Sequence, residues 1–533
     1  MKKVLIGLGI IAITNWGCKK DFLTSLANNP NSPTTSVATP QLLLPGALYN
    51  LSQLLNGVTG TTGAAAYDRQ AAWLGYWNYQ PGYSFNSTVQ DYVMNSGAPQ
   101  LWDNYYGILA NLNVMAQKTA GDPKQSNYYD IANVLEAVCF QNLVDLYNNI
   151  PYSQALQGQG NFYPNYDDAS SIYDSLTVKL DKAITDIKAN LNNADAVLPT
   201  TDDIMFGGDM QTWMQFANTV KLRLLLRETN VAAKQSYISS EISGTASDGY
   251  LQTDALVNPG YTSAQPNNFY GGFGVSPSGS LNSDASYIGA NETAIDFYKN
   301  TNDSRLGYFY SPKNITATDP SYNNVTLPLN FSDYWGNYLG KQSANPDGTG
   351  SSNIGSGIVK DPTQGTVMML AAESYFLQAE ATVLGYLPGG AAAALPLYQQ
   401  GITKSYEYLN VGGSASAADA QAAIYYGQNI GFVAFPLTAT ADSLVHTIIE
   451  QKWAALNGIN NVEAYNDWRQ TYSAATNMGY PIVPVSADAA NTFPHMPFRY
   501  FYPDEEQTNN NAAWAAAGGA TTNVFTDKIF WMK

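Results

Sequence analysis

The stretch at residues 207–227, GGDMQTWMQFANTVKLRLLLR, decides the fold class of this chain. Two glycines and an aspartate open it, and large apolar residues then recur at intervals of three or four. This apolar stripe consists of Trp213, Phe216, Val220, Leu224 and Leu225. Because such spacing places side chains on one face of an α-helix, the stretch predicts an amphipathic helix over 210–230 that Asp209 caps.

The same periodicity recurs along the chain and predicts a mainly α-helical fold. The further patterned segments are 41–55, 98–117, 128–147, 170–190, 366–385, 391–409 and 443–457. Small and large residues alternate in 373–384 and 391–409 on either side of a Gly-rich turn, which is typical of a tetratricopeptide-like helical hairpin. Residues 244–365 are rich in Gly, Asn, Ser, Pro and Tyr, which predicts a long, irregular insert within a single domain spanning 41–533.

The first eighteen residues indicate where the protein works. Residues 1–17 combine two lysines with an uncharged apolar run at 4–14, which is typical of a secretory signal peptide and too short to span a bilayer. Cys18 follows a small residue and resembles the cysteine of a bacterial lipobox, which predicts lipidation there; an ordinary signal peptide cut elsewhere is the alternative. Residues 18–40 hold the cysteine and a Pro-rich stretch, predicted to be a flexible linker.

Charge and cysteine content exclude several classes of protein. The 533 residues carry 25 Lys and Arg against 42 Asp and Glu, a formal net charge of −17. A nucleic-acid partner requires clustered basic residues, so this balance argues against one and favours neutral or basic ligands. With Cys18 lipidated, Cys139 has no partner for a disulfide, and its place in a helical pattern predicts a small buried residue.

The sequence offers little for catalysis. Its two histidines, His446 and His495, lie far apart and fit no HExxH metal site, and there is no G-x-S-x-G elbow. A glycosidase would need two nearby carboxylates. The acidic residues that could be nominated are Asp202, Asp203, Asp209, Glu505 and Glu506. Acidic pairs are more often solvated or capping groups, so we predict no catalytic residues, no metal and no cofactor.

Sugar binding requires exposed aromatic faces together with amide or carboxylate side chains. Two clusters fit, one around residues 73–86 and one at 267–270 with 334–338. The predicted ligand-binding residues are Trp73, Trp77, Tyr83, Tyr270 and Trp335. Trp73 and Trp77, four residues apart on a predicted helix, fit a buried core equally well, whereas Trp335 lies among polar neighbours and is expected to be exposed.

Several segments, taken in order, resemble the SusD/RagB family of outer-membrane nutrient-binding lipoproteins. They are 29–33 (NPNSP), 38–45 (ATPQLLLP), 146–155 (LYNNIPYSQA), 163–184, 207–227, 449–453 (IEQKW), 463–469 (EAYNDWR) and 498–508 (FRYFYPDEEQT). Each motif alone is weak, but their order along nearly the whole body makes the resemblance specific. The matching positions are mostly scaffold, so the resemblance does not identify the ligand.

The resemblance implies a SusD-like helical domain built on tetratricopeptide-like hairpins, with lipid anchoring at the cell surface of the outer membrane. It also implies a non-catalytic protein that captures oligosaccharide for import through a SusC-like TonB-dependent transporter. Three alternatives stay open at this point: a peptide-capturing member of the same family, a tethered glycoside hydrolase, and a protein that serves only as a scaffold.

Overall fold

The computed structural model describes residues 38–56, 64–96, 101–341 and 349–533. The signal peptide, Cys18 and nearly all of the linker lie outside these described residues, so the predictions made for them stay predictions.

Helices dominate the described residues, as the periodicity predicts. The helices before the insert are α1 (Pro40–Asn56), α2 (Ala64–Trp73), α3 (Ser87–Gln90), α4 (Leu101–Thr119), α5 (Ser126–Tyr147), α6 (Ala169–Asn190), α7 (Met210–Arg227) and α8 (Gln235–Thr245). Those within it are α9 (Asn268–Phe273), α10 (Ser283–Tyr287), α11 (Glu292–Asn300) and α12 (Leu306–Phe309). Those after it are α13 (Ala371–Val383), α14 (Gly390–Tyr408), α15 (Ala415–Tyr426), α16 (Ala441–Leu456), α17 (Asn461–Thr471), α18 (Asp504–Asn509) and α19 (Asn511–Ala516).

Four short strands form two antiparallel pairs. The strands are β1 (Trp77–Tyr79), β2 (Ala255–Val257), β3 (Ile288–Ala290) and β4 (Thr366–Met369). Strand β1 pairs with β3 and β2 pairs with β4. Each pair therefore ties the insert to an element outside it.

Consecutive helices pack against each other on both sides of the insert. Helix α1 packs on α4, and the series then continues through α5, α6 and α7. On the other side, α13 and α14 form the predicted tetratricopeptide-like hairpin, and α16 packs against both. Helix α13 also contacts α7, so the two helical series meet. No helix of the described residues is both long and apolar enough to cross a bilayer.

Helix α7 begins as the opening stretch predicts. Asp209 accepts hydrogen bonds from the backbone N–H groups of Gln211 and Thr212, which satisfies donors that a helix start leaves unpaired. Trp213 and the rest of the apolar stripe are buried. The preceding Gly208 has φ +87°, and a Cβ there would lie 2.0 Å from the carbonyl oxygen of Pro199. The turn into α7 therefore requires glycine at this position.

The polar side of α7 is buried as well, and it carries ion pairs into the interior. The guanidinium of Arg223 donates to Glu373 on α13 at 2.9 Å, and that of Arg227 donates to Glu463 and Asp467 on α17 at 2.6 and 3.1 Å. Burial alone would lower the pKa of Arg227, but the two carboxylates hold it above its ordinary value. These residues therefore form internal ion pairs of the scaffold.

Two secondary-structure predictions require correction. Residues 366–369 form strand β4, because they pair with β2 ahead of helix α13, which begins only at Ala371. The predicted helix through Trp73 and Trp77 instead ends at Trp73. Gly75 has φ +70° and lies so close to Thr293 that a Cβ would come within 2.7 Å, so the chain turns there into β1.

Candidate functional site

An open site rich in tyrosine is a groove formed by two cavities that share Tyr49 and Asn268. Their volumes are about 750 and 370 Å³. We call this pair of cavities the tyrosine groove. Side chains in the larger cavity include Tyr49, Tyr261, Gln265, Asn268, Asp284 and Tyr287. The smaller cavity adds Asn50, Gln53, Asp103 and Asn104. Residues from α1, α4 and the insert therefore meet at one surface.

A hydrogen-bond network fixes the floor of the groove. The Nε2 of Gln53 donates to the Tyr261 hydroxyl at 3.0 Å and to the Thr366 hydroxyl at 3.1 Å. The Tyr261 and Thr366 hydroxyl oxygens lie 3.0 Å apart. Burial raises the pKa of the Tyr261 hydroxyl, and its contacts with Gln53 and Thr366 hold the ring in position. The Nδ2 of Asn268 donates to the Tyr49 hydroxyl at 3.3 Å, which joins α9 to α1.

Tyr287 forms the opposite wall and extends the aromatic surface to the rim. Its ring centroid lies 5.9 Å from those of both Tyr79 and Tyr83. Its hydroxyl donates to Oδ1 of Asp284 at 3.2 Å. The pairing of β1 with β3 produces this cluster, because Tyr79 faces Ile288 in the register and the Gln80 N–H donates to the Tyr287 carbonyl.

Of the predicted ligand-binding residues, Tyr83 lies at this site. Its side chain is 51% exposed and contacts Tyr287 at the edge of the groove. A ligand that lies over Tyr287 would therefore reach Tyr83. Its role in binding stays a prediction.

The two tryptophans need correction, because both belong to the core. Trp73 is 1% exposed and its indole N–H donates to the Val89 carbonyl at 2.9 Å. Trp77 is fully buried against Phe269 and Phe273 of α9, at centroid distances of 6.2 and 5.2 Å. Neither ring can stack on a ligand in this structure. Trp77 instead supports α9 from below, and the opposite side of that helix lines the groove.

Tyr270 and Trp335 lie outside the lining of the groove. The Tyr270 ring rests on Gly274, where a Cβ would come within 2.7 Å of it, and is half-buried. Trp335 is also half-buried, and its backbone exchanges hydrogen bonds with Ser352. Trp335 is therefore only partly exposed, whereas its polar neighbours predict an exposed side chain. The structure does not bring these two residues together with Tyr83 in one site.

Sequence reasoning missed Tyr49, Tyr261 and Tyr287. In α1, Leu44, Leu48 and Leu51 are buried, and Tyr49 lies off this apolar stripe. The helical periodicity of this segment therefore predicts that Tyr49 lies on the outer face. Tyr261 and Tyr287 lie in the insert without periodic context. Only the strand pairing and the turn around Asn258 bring them to α1, and neither can be read from local pattern.

Four of the five carboxylates nominated for hydrolysis have structural partners. Asp203 is buried and accepts from the N–H groups of Met205, Phe206 and Gly208 and from the Trp213 indole. Asp209 is the cap of α7. Of the three others, Asp202 accepts from Tyr128, Glu506 accepts from Tyr166, and Glu505 lies in the first turn of α18, where its charge acts on Asp103 of the groove. The described residues contain no cluster of His, Cys, Asp or Glu suited to a metal ion.

A second large cavity, of about 770 Å³, lies between the 323–327 and 409–413 loops. Its polar lining includes Asn323, Asn324 and Asn410. Its one aromatic lining residue among those described is Tyr308, which is 7% exposed and accepts a hydrogen bond from the Gly412 N–H. Because a sugar ring has little aromatic surface to stack on there, the tyrosine groove is the better candidate.

Comparison with known proteins gives one family and a set of related folds. Residues 30–503 match the SusD-like family described as "Starch-binding associating with outer membrane". A structure named chitin-binding protein superimposes with a TM-score of 0.71 at 23% identity, covering 92% of this chain and 99% of that one. A chitin-binding SusD homolog from Flavobacterium johnsoniae gives 0.69 at 20% identity, covering 92% and 98%.

A SusD homolog from Bacteroides fragilis gives a TM-score of 0.68 at 21% identity, covering 93% of this chain and 99% of that one. At these identities the three structures establish the fold, and they confirm the predicted helical architecture. No curated protein matches the chain in sequence.

Proposed function

The chain belongs to the SusD-like family described as starch-binding and associating with the outer membrane, and from this we propose that it captures oligosaccharides in the tyrosine groove. The family resemblance read from the sequence motifs is thereby confirmed. The observation that carries the proposal is the grouping of Tyr49, Tyr261 and Tyr287 with the amides of Gln265 and Asn268 around one open cavity.

The groove has the two kinds of group that sugar recognition needs. Tyrosine rings offer flat faces to the C–H surfaces of a pyranose, and the amides can exchange hydrogen bonds with its hydroxyl groups. The network from Gln53 holds Tyr261 in place before a ligand arrives. A preformed site loses less conformational entropy on binding, which supports capture by rings that are already held in position.

We further propose that the protein is non-catalytic, is anchored through Cys18 at the cell surface, and delivers its ligand to a SusC-like TonB-dependent transporter. The family's association with the outer membrane supports the location. The lipobox-like sequence at Cys18 supports the anchor. The structural engagement of Asp203 and Asp209 supports a binding role over hydrolysis.

Calorimetry tests the proposal with residues 18–533 carrying Cys18→Ser, titrated with neutral oligosaccharides including starch- and chitin-derived chains. We expect saturable binding without breakdown of the sugar. Tyr287→Ala should weaken binding by roughly tenfold, since loss of one stacking face removes about 0.5–1.5 kcal/mol beyond the contact area. Tyr163→Ala is the matched control, because Tyr163 is 68% exposed and lies outside the groove.

Peptide capture is the alternative that one observation favours. Asp284 and Asp103 line the groove, and either could accept a basic side chain. If basic peptides bind with saturation, if no sugar does, and if Tyr287→Ala removes peptide binding, then the ligand class proposed above is wrong. Release of reducing ends from any sugar in these incubations would instead point to hydrolysis.

A further inference from the structure

Both cavities of the tyrosine groove carry a negative charge. One carboxylate lies in each cavity, Asp284 in the larger and Asp103 in the smaller. Among the described residues that line the two cavities there is no lysine, arginine or histidine. A ligand in this groove therefore meets two negative charges with no positive charge beside them.

Asp284 is oriented by its neighbours. The hydroxyls of Tyr287 and Ser283 both donate to Oδ1, each at 3.2 Å. Those bonds leave Oδ2 available to a ligand that stacks on the Tyr287 ring. A donor on the ligand would then lie next to the stacked sugar ring and contact the carboxylate.

Asp103 has a different setting. It is exposed in the first turn of α4, next to Asn104, which also lines the smaller cavity. Partial burial of its carboxyl group and then the nearby charge of Glu505 raise the pKa of Asp103. A cation bound here would relieve that repulsion.

We propose that the groove selects oligosaccharides bearing free, protonated amino groups, with Asp284 and Asp103 each accepting one ammonium group. This inference rests on the proposed function, since it assigns the substrate class of the same site. Linear chains rich in unacetylated amino sugars fit both the stacking surface and the charge. Chains of uronic acids or sulfated sugars are disfavoured, because their anions would face both carboxylates with no compensating cation.

The tyrosine lining favours a sugar over a basic peptide as the source of the ammonium groups. Tyr49, Tyr261 and Tyr287 face the larger cavity from separate elements, and a chain of pyranose rings can present a flat C–H face to each of them. A lysine-rich peptide would supply charge alone. Its binding would depend on salt and on the carboxylates, with little dependence on Tyr287.

The test compares ligands of equal length by calorimetry at about pH 6, above the ordinary range of aspartate pKa values. The ligands are a glucosamine oligomer, its fully N-acetylated counterpart, a galacturonic acid oligomer and oligolysine. The protein is the chain 18–533 with Cys18→Ser. Ion pairs at an open site contribute modestly, so the glucosamine chain should bind roughly two- to fivefold tighter per engaged amino group than the acetylated chain.

The variants are Asp284→Asn and Asp103→Asn, which keep the shape and remove the charge. Each variant should lower the ratio of the affinity for glucosamine to the affinity for the acetylated chain by the roughly two- to fivefold assigned to one engaged amino group. Asp419→Asn, at an exposed position on α15, removes the same charge elsewhere and should change nothing. Melting temperatures verify that each variant is folded.

The outcomes separate the inference from the function on which it rests. If the acetylated chain binds as tightly as glucosamine and the variants have no effect, then the charge selection is wrong and sugar capture stands. Tight binding of the galacturonic acid chain overturns the selection in the same way. Oligolysine binding as tightly as glucosamine would replace the sugar by a peptide. Binding of none of the four ligands would refute both the inference and sugar capture.

Discussion

Asp130 provides a sharp test of the packing between α5 and α6. Its side chain is fully buried, and neither carboxylate oxygen has a hydrogen-bond partner among the described residues. Burial raises its pKa to about 8, with a further increase from Asp186 that Lys182 partly opposes. The folded protein therefore binds this proton more tightly than the unfolded chain, in which an aspartate has its ordinary pKa near 4.

The sign of the pH dependence follows from that difference. The stabilising effect of the bound proton is complete below the unfolded pKa, and it is lost as the pH rises toward the folded pKa of about 8. Within this window the contribution falls by about 1.4 kcal/mol per pH unit. Between about pH 5 and pH 7 the natural protein should lose about 3 kcal/mol that an Asp130→Asn variant does not lose.

Urea unfolding at the two pH values measures the difference directly, provided that the dependence of the free energy on urea stays the same. Asp419→Asn is the control, since it removes a carboxylate that is already exposed and should keep the natural slope. Equal loss of stability in the natural protein and in Asp130→Asn would refute the reasoning, because it would mean that Asp130 is charged or solvated in the folded state.

Three further substitutions test the scaffold. Arg227→Met should lower the free energy of unfolding by about 3 kcal/mol, because it removes one cation from a buried network and leaves Glu463 and Asp467 with Arg223 and Lys452 alone. An unchanged urea midpoint would contradict the buried network. Gly208→Ala should lower the melting temperature far more than Gly207→Ala, since both have positive φ but only Gly208 lacks space for a Cβ. Asp203→Ala should lower the free energy of unfolding by about 2–4 kcal/mol, because the hydrogen bonds from the backbone and from Trp213 are lost. Neither the natural protein nor the variant should break down sugar. A hydrolytic activity that is present in the natural protein and lost in the variant would restore Asp203 as a catalytic candidate.

The scaffold was predictable because its signals are local and periodic. Helix α7 begins where the GGD turn predicts, and α1, α5 and α6 agree with their predicted bounds to within two residues. The α13–α14 hairpin follows from small residues that let two helices approach. The sequence pattern predicts helix where strand β4 forms, because the short apolar run at 367–369 fits either state and the partner strand β2 lies over a hundred residues away in the sequence.

The candidate site was predictable only in part, because its residues meet through contacts between distant segments of the chain. Aromatic density points to residues 73–86, yet density does not tell which ring faces inward. A glycine turn at Gly75 directs Trp77 under α9, whereas Tyr83 stays at the surface. Tyr49, Tyr261 and Tyr287 come from three separate segments, and their meeting depends on non-local strand pairing and on the bond between Asn268 and Tyr49.

The correction for Trp77 replaces a predicted contact with the ligand by a structural role beneath α9. Trp77 packs beneath Phe269 and Phe273, and the same short helix carries Asn268 into the groove. Truncating Trp77 would therefore disturb a residue that lines the tyrosine groove, although Trp77 itself is buried below it. A loss of binding in Trp77→Ala is expected on both interpretations and cannot identify the contact surface, whereas Tyr287→Ala can.

The most direct test of the central claim is a crystal structure of the protein with the oligosaccharide that binds it most tightly. The account predicts sugar rings stacked on Tyr287 and Tyr261, with hydroxyl groups bonded to Asn268 or Gln265. Sugar bound instead in the cavity beside Asn323 and Asn410, with the tyrosine groove empty at saturating ligand, would contradict the account.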